Sequence, residues 1–249
     1  MTDIRLDDRP PRRTPDDETQ TVLLVHAVLV GLTPLIPIPI LDDAVKGYVE
    51  RRVVLELGKK HGVLLGADVV SALVDDPSGS VLSALAQGAI QYPLKLLLRK
   101  LFFVLEVKRA SDAASLAYHR GYLVERALAL KLLEPLGPYR SPMVRSAIDW
   151  ACQNARISPL TSVMAGSFEG SRAAMEALGK GLIKRLRPKR GATGAQAVEG
   201  AVEDASRQGP IAGVVEQLRR GLRDIPAEHF ANLEQNFDAC LADQAQRAR

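Results

Sequence analysis

The sequence predicts an all-α fold, a multi-helix bundle with Pro-kinked apolar helices and a C-terminal helical pair. Three observations point there. Apolar residues recur at helical spacing along most of the chain, as at Leu116, Leu123, Leu128 and Leu132. No alternation of apolar and polar residues runs long enough to build a sheet. The periodic stretches are separated by turn chemistry, with DDPSGS at 75–80 and EPLGPYRSP at 134–142 the clearest breaks. The expected organisation is a disordered polar arm at 1–18, a main helical domain at 19–190, a small-residue linker at 191–208 and a C-terminal helical hairpin at 209–249.

The arm, RLDDRPPRRTPDDE, mixes charges with prolines and offers nothing to bury. Its charge and prolines, with no small-residue cleavage site after the apolar run, do not make a secretory signal. From Val22 to Leu41 the chain is almost wholly apolar, and by length it could cross a bilayer core of about 20 residues. Pro34, Pro37 and Pro39 oppose that: each removes a backbone donor and biases the preceding residue away from helix. The helix starting near Thr19 is therefore expected to end around Leu32 or Thr33. Its length of about 20 Å suits a core helix or a re-entrant segment better than a span. Asp42 or Asp43 is the expected N-cap of the next helix, whose Glu50, Arg51 and Arg52 keep it out of lipid. Pro34, Pro37 and Pro39 thus form an apolar corner between an all-apolar helix and an amphipathic one.

This order of features, an apolar helix of small residues, the corner LIPIPILDD and a helix closing on LELGKKHGV, resembles the YcjF-like domain of unknown function. The likeness runs from Thr21 to about Ala72, with Leu41 and Asp42 lengthening the link to the acidic residue. It implies an all-helical, membrane-associated module without assigned catalytic residues. Such modules occur alone in bacterial membrane-associated proteins and fused behind small GTPase domains. No phosphate loop of the form GxxxxGK[ST] is present here, and ATGAQA at 192–197 lacks the necessary lysine.

A second apolar block, Val81 to Val107, contains Pro93 at the expected first turn of a helix. In that helix Lys95, Arg99 and Lys100 lie among Leu94, Leu97, Leu98, Leu101, Phe102 and Leu105, the pattern of an interfacial helix on anionic lipid. A core helix whose basic residues reach out to solvent has the same pattern. Further on, Tyr118, His119, Tyr122 and Glu125 are the one bunch of titratable and phenolic groups, with Asp112 two turns before His119. A core-edge histidine and tyrosine making local hydrogen bonds is the preferred reading over an acid–base pair. His26, His61, His119 and His229 fit no metal-ligand spacing, so no metal site, cofactor or catalytic residue is expected.

After the 134–142 break, a short helix holds Trp150 and Cys152, and Leu160 to Leu186 follows with a stripe of Phe168, Met175, Leu178, Leu182, Ile183 and Leu186. The run GKGLIKRLRPKRG then concentrates Lys180, Lys184, Arg185, Arg187, Lys189 and Arg190 with no acid among them. It can hold an anionic membrane surface, bind nucleic-acid phosphates without sequence choice, or simply complement a helix C-terminus. Ile211, Val214, Val215, Leu218 and Leu222, then Phe230, Leu233, Phe237 and Leu241, give two amphipathic helices. They are expected to pack on the body, with a protein partner as the other use for their apolar faces.

A net charge of +4 favours anionic neighbours only weakly, and 4% aromatic residues leave little for base stacking, so nucleic acid is not the expected partner. Cys152 and Cys240 read as two small residues in a reducing setting. The function expected is therefore a non-enzymatic, membrane-associated helical module. Its membrane or anion contacts are Lys95, Arg99, Lys100, Lys184, Arg185, Arg187, Lys189 and Arg190. That places it in the cytoplasm, peripheral to or partly embedded in the inner membrane. The alternative is a soluble adaptor or scaffold whose apolar segments form its own core.

Overall fold

The computed structural model describes residues 15–35, 39–74, 103–134, 139–155, 158–186 and 194–247. Those residues are 85% helical and include no strand. In chain order the helices are α1 (Asp17–Gly31), α2 (Pro39–Lys60), α3 (Ala67–Leu73), α4 (Phe103–Ala129) and α5 (Ser141–Asn154), then α6 (Ser158–Gly170), α7 (Arg172–Arg185), α8 (Gly194–Ser206), α9 (Gly209–Leu222) and α10 (Ala227–Arg247).

The apolar helix α1 lies at the centre. Asp16 caps it, its carboxylate accepting from the Thr19 N–H at 2.7 Å and from Lys60 Nζ at 2.5 Å, which ties the start of α1 to the end of α2. Lys60 first, then the Thr19 backbone, hold the Asp16 carboxyl down to about 2. Along α1, Leu23, Leu24, Ala27, Val28, Leu29, Val30 and Leu32 are at most 2% exposed, enclosed by α2, α4, α8 and α9. Val22 and Val25, partly buried, also pack against this core. Helix α4 crosses α1 antiparallel and close. A Cβ on Gly121 would lie 2.6 Å from Leu23 Cδ2, and one on Gly31 would lie 3.1 Å from the Ala110 carbonyl oxygen. In α6 a Cβ on Gly170 would meet Gln217 Nε2 of α9, whereas one on Gly166 would meet nothing within 4 Å.

Helix α1 ends at Gly31, and Thr33–Leu35 forms a 3-10 turn containing Pro34, with the Thr33 hydroxyl donating to the Val30 carbonyl at 2.9 Å. Helix α2 then begins at Pro39, three residues before Asp42, so neither aspartate is its cap and Asp42 sits in its first turn. A proline at the first helical position gives up a donor that no helical carbonyl would have accepted. Pro37 lies outside the described residues.

Two helices end in the same motif with different residues. After α2, Val63 N–H donates to the Gly58 carbonyl at 2.9 Å and Gly62 N–H to the Lys59 carbonyl at 3.0 Å, with Gly62 at φ 70°. After α4, Leu132 N–H donates to the Ala127 carbonyl and Lys131 N–H to the Leu128 carbonyl, both at 2.9 Å, but the left-handed residue is Lys131 at φ 58°. A side chain there is strained by about 1 kcal/mol. Lys131→Gly is therefore expected to raise stability by up to about 1 kcal/mol, read as a higher urea midpoint at unchanged slope.

The expected linker at 191–208 is a helix for most of its length. Val198, Ala201, Val202 and Ala205 of α8 are buried against α7 and α2. Alanine and valine at helical spacing give a narrow stripe that needs little apolar mass when the neighbour comes close. The two C-terminal helices each pack on the body: α9 lies on α1, α6 and α7, whereas α10 lies on α5. The polar arm ends earlier than residue 18, since Asp17 already opens α1. Among the described residues, no helix is long and apolar enough to cross a membrane. The second apolar block before Phe103 lies outside the described residues.

Candidate functional site

Helix α4 carries a polar stripe of Ser111, Ser115, His119, Tyr122 and Arg126, at three- and four-residue spacing. Helix α10 answers it with His229, Phe230, Glu234 and Asp238. His119 Nδ1 is 2.8 Å from the Ser115 carbonyl oxygen, which can only accept, so Nδ1 carries the hydrogen. The neutral ring then has its lone pair on Nε2. His229 Nε2 lies 2.8 Å from that atom and must donate to it. Both rings are buried. Burial first, then the neighbouring His229, push the His119 imidazole down to about 3, so it stays neutral at physiological pH.

One turn on, the Tyr122 hydroxyl donates to Glu234 Oε1, while Arg126 donates to Glu234 Oε2 at 2.9 Å and to Asp238 Oδ2 at 2.8 Å. Phe230 sits between the two layers, its ring centroid 5.0 Å from Tyr122 and 5.2 Å from His229. A second network joins other elements to α4. Arg120 reaches Asp149 of α5 at 3.1 Å and Glu50 of α2 at 3.5 Å, and Arg145 donates to Asp149 at 2.6 Å and to the Leu73 carbonyl. The two remaining histidines also sit at helix junctions, His61 at 3.4 Å from Glu125 and His26 at 3.7 Å from Glu56. Burial pushes the His26 imidazole down.

No family model matches this chain, and no curated protein or solved structure does. The YcjF-like resemblance therefore rests on the corner and its flanking helices alone.

What the cluster can do chemically follows from who holds whom. His119 and His229 are each other's partners, and Tyr122 and Arg126 are both engaged by Glu234. A substrate would have to displace a buried partner to reach any of them, and a neutral imidazole titrating near 3 is a weak base. Of the bunch singled out in the sequence, His119 and Tyr122 join this joint. Glu125 turns to His61, Tyr118 is buried with its ring 6.3 Å from Phe230, and Asp112 is exposed. Among the described residues, no three His, Cys, Asp or Glu side chains gather as a metal ion would require. A cavity of about 30 Å³ between α1, α2 and α4, lined by His26, Glu50 and Arg120 among others, has room for about one water. An open groove of about 450 Å³ between α3 and α5 is lined by Arg145, Asp149 and the half-exposed Trp150.

The anticipated basic contacts separate. Lys184 is exposed near the end of α7, as is Lys180, which pairs with Glu176 at 3.6 Å. Arg185 is bound to Asp204 of α8 at 2.9 Å, so part of the basic run serves helix packing. Lys95, Arg99, Lys100, Arg187, Lys189 and Arg190 lie outside the described residues. Glu234 and Asp238 escaped the sequence reading, and His229 entered it only as one of four scattered histidines, without its pairing to His119. The signal available was two acids four residues apart beside an apolar stripe, which fits one buried arginine but does not say which.

Proposed function

We propose that this protein is a non-enzymatic helical scaffold, an adaptor whose apolar segments form its own core. The observation that supports this best is the enclosure of α1. Its apolar side chains from Leu23 to Leu32 pack among α2, α4, α8 and α9, where a bilayer-seeking helix would keep a face for lipid. The polar cluster supports the same reading, because His119, Tyr122 and Arg126 of α4 are each bonded to a side chain of α10.

A second reading, peripheral contact with an anionic bilayer surface, is favoured by the exposed Lys180 and Lys184, which lead into Arg187, Lys189 and Arg190. Contact of that kind is electrostatic, at about 1 kcal/mol per cation, and is screened by salt. It fits a protein on the cytoplasmic side of the inner membrane, as the YcjF-like resemblance implies. Flotation with anionic vesicles separates the readings. The scaffold is expected to be monodisperse without detergent and to stay at the bottom of the gradient at about 0.1 M salt. Flotation that a wash at about 1 M salt reverses supports surface contact. Flotation that resists the wash contradicts both, because apolar insertion is not screened.

A further inference from the structure

We propose that the joint between α4 and α10 is a proton-released latch: acidification lifts α10 away by placing a hydrogen on both facing imidazole nitrogens. The geometry sets the limit on charge. With His119 Nδ1 committed to the Ser115 carbonyl, the 2.8 Å contact between the two Nε2 atoms needs one hydrogen shared between them. A single added proton leaves that N–H···N bond intact. A second puts hydrogens on both nitrogens, removes the bond and sets two buried cations ring to ring, with centroids 5.0 Å apart.

The carboxylates around the pair are already engaged with other groups. Next to the rings α4 presents Tyr118 and Tyr122, and α10 presents Phe230. The nearest carboxylate on α10, Glu234, is bonded to Tyr122 and Arg126, and Asp238 to Arg126. Glu125 of α4 is turned to His61. Helix α5, packed on α10, buries Val144, Ala147, Ile148, Ala151 and Cys152; burial pushes the Cys152 thiol up to about 12. The charged Arg145 and Asp149 of α5 are tied to Arg120 and the Leu73 carbonyl. On the other sides of α4, α1 brings His26, held by the Val22 carbonyl and near Glu56, and α6 brings Ser167.

The direction in pH follows. His119 has an ordinary value of 6.5 when released and about 3 in the closed joint, so closure is fully favoured above about 6.5 and weakens as the pH falls towards 3. Between pH 7.5 and about 5.5 a released histidine gains a proton that the joint refuses, which raises the opening constant about tenfold. Opening uncovers the α4 side of α10 at Phe230, whose ring centroid lies 5.0 Å from Tyr122 in the closed joint, an apolar surface presented only in acid. The latch holds or fails independently of any membrane contact.

Hydrogen exchange at pH values of about 7.5 and about 5.5, corrected for intrinsic rates, tests it on the full chain. We expect α10 amides of the wild type to open about tenfold more at the lower pH while amides of α7, which holds no histidine, do not, and the double variant His119→Leu/His229→Leu to show no such change. Equal protection of wild-type α10 at both pH values overturns the latch. So does the same rise in the double variant, or a rise shared by α7. Should the leucine pair not fold, His119→Gln/His229→Gln, which keeps polar partners and does not titrate, takes its place with the same expected outcome.

Discussion

Replacing Arg126 by methionine is expected to lower stability by about 3 kcal/mol. The guanidinium serves two carboxylates at once, Glu234 at 2.9 Å and Asp238 at 2.8 Å, and all three side chains are largely removed from water. Taking away the cation leaves two like charges four residues apart on α10 with their solvation already lost, and that penalty exceeds what the pair itself contributed. The cost therefore falls when the acids are neutralised too. Arg126→Met/Glu234→Gln/Asp238→Leu is expected to recover most of the loss, since the amide oxygen introduced in place of the Glu234 carboxylate can still accept from Tyr122. Urea unfolding of the single and triple variants checks this. A single-variant loss below about 0.5 kcal/mol would mean that the network is a solvated surface feature and does not fasten α10.

Local chemistry made the helix ends readable, and long-range pairing did not. The prolines at 34, 37 and 39 placed the end of α1 within two residues, and His61-Gly62 marked the turn that closes α2. Both signals act through the backbone of neighbouring residues. The start of α2 was missed because an aspartate at residue 42 is equally at home as a cap or in a first turn, where it meets the same helix dipole. The histidine pair joins residues 110 positions apart, and nothing in the spacing of four histidines says which two will face each other. Helix α8 was faint for a different reason: its buried stripe is alanine and valine, whose small apolar mass reads as a linker with a weak helix until a close neighbour gives it something to cover.

The environment of α1 was the hardest feature to read, and the function turns on it. A helix that is apolar on every side satisfies a bilayer or a protein interior equally well. What separates the two lies in its neighbours: Gly121 on α4 leaves room for Leu23, Ala114 on α4 and Phe168 on α6 close over Gly31, and those residues are far from α1 in sequence.

Leu29→Asp is the measurement that bears most directly on that enclosure. Leu29 is 1% exposed in the central helix, so an aspartate there must bury a charge without a partner or leave a cavity around a neutral acid, at a cost of more than about 4 kcal/mol. That is comparable to the whole stability of a typical domain. We expect the variant, purified without detergent, to lose its cooperative thermal unfolding transition. A variant that unfolds cooperatively at the wild-type temperature, having lost only its association with anionic vesicles, would show that α1 faces lipid and that the core lies elsewhere.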